Sequence, residues 1–173
     1  MERSVISNLQ PEIAAPRPNK TSAHCGRYLS DGFIRAIRPV VHELHPLGRV
    51  ENCYRWAGET DVFEAIEAVC RNYRVDRRRI VLRGMSMGAS GTWHLGLKHP
   101  SRFVALGPYC GYVDTHRFSE TPLPNFIRVG PLPPHQERIL HMLDSVDYAA
   151  NASVVPAIAA IGDEDPMKFG HVS

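Results

Sequence analysis

The pentapeptide Gly84-Met-Ser-Met-Gly88 constrains this chain more than any other stretch, because of what flanks it. Ahead of it stands Ile80-Val-Leu82, too short for a helix and rich in branched residues, which reads as a buried strand. Behind it, Met87 to Lys98 carries a helical pattern closed by His99-Pro100, where proline forbids continuation. A strand that turns at once into a helix needs a sharp bend, and glycines two places either side of Ser86 remove the side chains that would collide there. The bend leaves the Ser86 hydroxyl pointing outward, and the Met87 N–H at the helix start faces the same place. G-x-S-x-G requires this context when its serine is a nucleophile. The plain alternative is a glycine-rich turn with an idle serine.

The remaining pattern predicts an α/β fold. Val62, Ile66, Val69 and Tyr73 recur at helical spacing from about Gly58, and Asp61 with Glu64 resembles a capping box. Phe103 to Leu106 reads as a strand stopped by Gly107-Pro108, and Pro108 to Pro134 as a turn-rich insertion. Gln136 to Ala150 follows as a helix with Ile139, Leu140, Leu143 and Val146 on one side. Val154 to Ile161 is an apolar strand ended by Gly162-Asp-Glu-Asp-Pro166, and Ile37 to Leu44 a strand interrupted early by Pro39. Strands alternating with helices predict a mostly parallel sheet with helices on both faces. Residues 1–35 show little periodicity and hold Pro11, Pro16 and Pro18, so they read as an irregular N-terminal arm, with 36–173 as the core.

Composition narrows the partners. A chain of 173 residues suits one domain, and a formal charge of +2 is too small to imply nucleic acid, with Arg77-Arg-Arg79 read as a solvated connection. Cys25, Cys53, Cys70 and Cys110 form no C-x-x-C and have no paired histidines nearby, so neither a metal site nor a redox dithiol is expected. Gly84 to Gly91 lacks the Lys-Ser/Thr ending of a phosphate loop, and no cofactor is expected. No apolar leader region and no run of membrane-spanning length is present, which predicts a cytoplasmic protein without membrane contact, a lost leader being the alternative. Nothing in the sequence sets the oligomeric state.

A serine hydroxyl attacks a carbonyl only when a histidine takes its proton and a carboxylate orients that histidine. In α/β hydrolases the chain order is serine, acid, histidine, the acid lying in a turn past a later strand. Ala159-Ala-Ile-Gly-Asp-Glu-Asp165 has that form, although acidic turns are common. Taken together, Tyr54-Arg-Trp-Ala-Gly-Glu-Thr-Asp61, Arg79 to His94, His99-Pro-Ser-Arg-Phe103 and Ile161-Gly-Asp-Glu-Asp165 resemble the catalytic domain of prolyl-oligopeptidase-like serine hydrolases, over about residues 45 to 170. The resemblance implies Ser86 as nucleophile, Asp165 and not Asp163 as acid, and Met87 N–H as an oxyanion donor. Residues 1–40 lack the glycine loop that supplies the second donor in that family. His171 is the only histidine beyond the acid, with no room before it for the helix and strand that precede the base. The chain therefore reads as a hydrolase core clipped at both ends.

Loops at the carboxyl ends of strands form the crevice of an open α/β sheet, which makes Tyr54, Arg55 and Trp56 candidate substrate-binding residues. The alternative is that Trp56 anchors the loop and Arg55 pairs with Glu59 or Asp61. The expected function is a serine hydrolase that transfers acyl groups to water from peptide or ester substrates. The resemblance favours a peptidase. A carboxylesterase of the same fold, and an inactive or partner-dependent module without the histidine, are the alternatives.

Overall fold

The computed structural model describes residues 3–6, 34–38, 41–47, 49, 52–122 and 128–165. Five strands, β1 (Arg3–Ile6), β2 (Ile34–Arg38), β3 (Val41–Leu44), β4 (Ile80–Met85) and β5 (Ala105–Tyr109), form one sheet in the order β2-β3-β1-β4-β5. Every pairing is parallel except that of β2 with β3. The helices are α1 (Ala57–Asn72), α2 (Met87–Lys98), α3 (Thr115–Ser119) and α4 (Pro134–Leu143).

The expectation of an irregular arm over 1–35 needs correction at residues 3–6, because β1 lies in the middle of the sheet, paired with β3 on one side and β4 on the other; residues 7–33 of that arm lie outside the described residues. Four residues are too few to carry a periodic signal; ladders on both edges make this a strand. Ile37 to Leu44 is likewise two strands, β2 and β3, since proline at 39 has no N–H for a ladder. By contrast β5 runs through Gly107-Pro108, where the sequence predicted a stop. Pro108 needs only its C=O there, which accepts from the Ala160 N–H at 3.3 Å.

Helix α1 starts at Ala57, ahead of the predicted capping box, and Asp61 instead accepts two bonds from the Arg49 guanidinium at 2.6 and 2.7 Å. Its buried stripe, Val62, Ile66 and Val69, joins Leu82 of β4, Leu95 of α2, Leu106 of β5 and Val155 in the core. Beyond α4 the predicted helix 136–150 changes to 3₁₀ turns over Ser145–Ser153. The break falls at Asp144, whose carboxylate accepts from the Thr115 N–H (3.0 Å), the Thr115 hydroxyl (2.5 Å) and Arg55 (3.1 Å). The predicted strand 154–161 is reduced to two parallel bridges to β5, Leu106 with Ala157 and Tyr109 with Ala160.

Side chains of helix α1 reach the end of α2 and the turn that follows it. Glu59 meets His94 (2.9 Å), Lys98 (3.0 Å) and His99 (2.7 Å), Phe63 stacks edge-on to His99, and Glu67 bonds Arg102. Burial alone would raise the Glu59 carboxyl, but the bonds from His99, Lys98 and His94 outweigh it and hold the group at about 2. His94 is pushed the other way, down, by its burial, against the pull of Glu59. Neutral His94 then donates through Nε2, and its buried Nδ1 has no partner.

A folded value below the ordinary 4.5 means that Glu59 contributes stability above pH 4.5 and loses it as pH falls toward 2. The contribution is on the order of 3 kcal/mol at neutral pH. Glu59→Gln is expected to melt lower than the parent at pH 7, with the gap closing between pH 4.5 and 2 in melting curves across that range; a gap independent of pH would show that the ion cluster is not its origin.

Candidate active site

Strand β4 ends at Met85 and helix α2 begins at Met87, so Ser86 alone makes the bend, with φ 54° and ψ −121°. This region is unfavourable for an L residue and costs roughly 1–3 kcal/mol, so the surrounding packing must impose it. The packing is specific. A Cβ on Gly84 would lie 2.3 Å from the Gly88 carbonyl oxygen, which means that strand and helix backbones touch where the motif places its glycines. The Ser86 N–H donates to the Tyr109 carbonyl at 2.9 Å, fastening the elbow to the end of β5.

Ser86 itself is half-buried, between exposed Met85 and half-buried Met87. Its carbonyl accepts from the Ala89 and Ser90 N–H groups, which leaves the N–H groups of Met87 and Gly88 without an acceptor among the described residues. Free N–H groups at the positive end of a helix suit a developing oxyanion. The elbow thus presents a hydroxyl and backbone donors together.

Next along the carboxyl edge, the Cys110 N–H donates to the Ala160 carbonyl at 2.8 Å, so the ends of β4, β5 and the 157–160 segment lie in succession. The last of these leads into the acidic turn, which the Asp165 N–H closes on the Gly162 carbonyl at 3.0 Å. Asp165 is half-buried and Asp163 exposed. Ser86 and Asp165 therefore share an edge with β5 between them, and no hydrogen bond joins them.

No described imidazole bonds the Ser86 hydroxyl. His94 and His99 serve Glu59, His116 bonds Glu137 at 2.9 Å, His141 bonds Asp147 at 2.8 Å, and His45 lies 3.5 Å from Glu43. His42 stacks against Tyr73, and His135 is exposed. His171 lies outside the described residues.

The three candidate substrate-binding residues separate. Tyr54 is 1% exposed, with its ring against Gly91 of α2 and its hydroxyl donating to the Pro46 carbonyl, so it packs as a core residue. Arg55, 7% exposed, is also corrected: it pairs with Asp144, which the sequence alternative did not include, and lies over the Tyr112 ring. Trp56 is 61% exposed and anchors nothing by burial.

Sequence reading missed the polar set that binds these loops to the elbow helix. Cys53 Sγ contacts the Tyr112 hydroxyl at 3.4 Å, and the Tyr112 N–H donates to Ser90 Oγ at 2.9 Å. Burial pushes both the Cys53 thiol and the Tyr112 phenol up, which keeps them neutral at physiological pH. The pairs are 59 and 22 positions apart, and Arg55 and Asp144 are 89 apart, so no local spacing marks them. Cys53, Tyr54, Trp56, Ser86 and Cys110, the non-glycine residues with positive φ among the described residues, all stand in these loops or at the elbow.

A serine elbow between a parallel strand and a helix, with an acidic turn two strand ends away, defines an α/β-hydrolase fold. The chain belongs to the Esterase PHB depolymerase family, whose profile matches residues 45–165. Solved structures agree on the fold. Prolyl oligopeptidase B from Galerina marginata superposes with a TM-score of 0.62 at 13% identity, covering 99% of this chain and 25% of that one. An S-formylglutathione hydrolase from Agrobacterium tumefaciens gives 0.58 at 17%, covering 98% and 68%. A puromycin-hydrolyzing peptidase from Mycobacterium tuberculosis gives 0.54 at 16%, covering 93% and 30%. The chain thus spans a quarter to two thirds of these relatives. A search of curated protein sequences returns no match.

Proposed function

We propose that this chain carries the nucleophile of a serine hydrolase that cleaves carboxylic esters through an acyl-enzyme. The observation that carries the reading is Ser86 held at φ 54° at the head of α2, with unpaired Met87 and Gly88 N–H groups beside it. Ser86 Oγ attacks the ester carbonyl, and the Met87 N–H steadies the oxyanion of the tetrahedral intermediate. Collapse expels the alcohol, and water then releases the acid. Asp165 is the carboxylate assigned to orient the imidazole that takes the Ser86 proton, a role supported by its turn beyond the 157–160 segment; no described histidine is that imidazole.

The family match favours ester over amide, which displaces the peptidase reading drawn from the sequence resemblance. A peptidase of the prolyl-oligopeptidase kind remains the second reading, supported by the Galerina and Mycobacterium folds alone. The test is labelling of the full chain with a fluorophosphonate, followed by mass mapping of the adduct, and comparison of a phenyl ester with a matched prolyl anilide. Adduct on the peptide holding Ser86, with ester turnover at least tenfold above anilide, is the expected result. Faster anilide cleavage would install the peptidase reading, and a folded chain that takes no label would leave an inert module.

A further inference from the structure

We infer that the edge of the sheet at residues 157–161 is an interaction surface for a second copy of this chain, the two edges pairing antiparallel about Ala159. The inference goes beyond the hydrolase reading and does not depend on it. It begins with the hydrogen bonds that tie this segment to β5. The Leu106 N–H donates to the Pro156 carbonyl at 2.9 Å, the Ile158 N–H to the Leu106 carbonyl at 3.0 Å, the Ala160 N–H to the Pro108 carbonyl at 3.3 Å and the Cys110 N–H to the Ala160 carbonyl at 2.8 Å. Only the even-numbered residues serve β5. In extended chain the backbone groups of successive residues alternate in direction, so those of Ala157, Ala159 and Ile161 point away from β5. They have no hydrogen-bond partner among the described residues.

This edge lacks the usual guards. Exposed edges are blunted by charges, by prolines or by bulges that twist them out of reach. Ser153 to Ile161 holds no charged residue, its proline stands before the free groups at 156, and residues 156–160 are exposed in succession. By contrast β2, the strand at the opposite edge, holds Arg35 and Arg38. Val154 is 69% and Ile158 75% exposed, so covering the edge removes apolar surface from water as well as pairing backbone.

Register decides which strand fits. A hairpin springing from the turn that Asp165 N–H closes on the Gly162 carbonyl would call on Ala160 as its next hydrogen-bonded residue, and both Ala160 groups already bond β5. The edge is out of step with that hairpin. It is in step with itself. About a twofold axis at Ala159, Ala159 pairs with its own copy and Ala157 with Ile161 in both directions, which engages every outward N–H and C=O of the segment. In that register Ile158 faces Ala160 and Ile161 faces Ala157, so each isoleucine meets an alanine across the joint. The carboxylates of Asp163, Glu164 and Asp165 fall nearest Val155, Val154 and Ser153 of the second copy, which carry no charge. Like charges therefore sit at opposite ends of the joint.

The test is sedimentation of the full chain over a hundredfold range of concentration reaching about 0.1 mM, where a 19.4 kDa monomer should give way to a dimer. Ala159→Pro deletes an outward N–H and no bond to β5, so it should weaken that dimer at least tenfold while circular dichroism stays unchanged. A second variant reads the register without weakening the joint: Ala159→Cys, oxidised in air with copper phenanthroline, should give a dimer in which mass mapping finds the introduced thiol linked to its own copy. A dimer that Ala159→Pro leaves as tight, or one whose introduced thiols do not link, would place the contact elsewhere and overturn the pairing. A parent that stays monomeric would overturn it too. Hydrogen exchange at the amides of 157, 159 and 161 then names the occupant: slow exchange means that the chain covers its own edge, and fast exchange that the edge is left for a foreign strand.

Discussion

Replacing Ser86 by alanine is expected to abolish fluorophosphonate labelling and, once an imidazole serves Ser86, to reduce ester turnover by about 10⁵-fold or more, the loss found when a complete serine hydrolase is deprived of its nucleophile. Melting should move little, because alanine bears the same backbone strain and the hydroxyl makes no hydrogen bond among the described residues. Ser86→Gly should be equally unreactive yet more stable, by on the order of 1 kcal/mol, since glycine accepts φ 54° without penalty. That corresponds to a rise of roughly 2–4 °C in a domain of this size. The pair separates chemistry from conformation. An alanine variant that still takes label, or a glycine variant that melts below alanine, would contradict the strained-elbow account.

The second large effect concerns Gly84. A methyl there would stand 2.3 Å from the Gly88 oxygen and 2.4 Å from its carbonyl carbon, and both are backbone atoms with no rotamer to yield. Relief requires the head of α2 to move off β4, the most damaging kind of overpacking. Gly84→Ala should lose about 3 kcal/mol or more, a fall in melting temperature of roughly 6–12 °C, and Gly84→Val should not fold to a soluble protein. Labelling at Ser86 should fall with the alanine change even below its melting temperature, because displacing the helix displaces the donors of Met87 and Gly88. An alanine variant that melts and labels like the parent would mean that strand and helix are further apart than described.

The elbow was legible in the sequence because its requirements are local: a short apolar run, glycines at fixed offsets and a helical pattern, all within twenty residues. Helix α2 falls where the periodicity put it, from Met87 to Lys98. Elements whose form depends on distant partners were read less well. Nothing near Asp144 warns that Arg55 and Thr115 draw its carboxylate away and end the helix. Asp61 had the spacing of a cap but found Arg49. The same limit governs the site. Ser86 and Met87 were read from the motif, and Asp165 from the family resemblance, whereas the burial of Tyr54 and Arg55 depends on α2 and Asp144, far along the chain. Trp56 was read as a candidate substrate-binding residue with a loop anchor as the alternative, and its exposure follows from a backbone turn that no pairwise spacing encodes.

The central place of β1 has a consequence for how the chain is made. Ser4 pairs with Ile80, so once β1 is synthesised roughly 75 further residues must follow before its β4 neighbour exists. At synthesis rates of about 5–20 residues per second, that delay is several seconds. Through that interval β1 has at least one ladder unsatisfied, and a chaperone that shields extended segments would find an opportunity there.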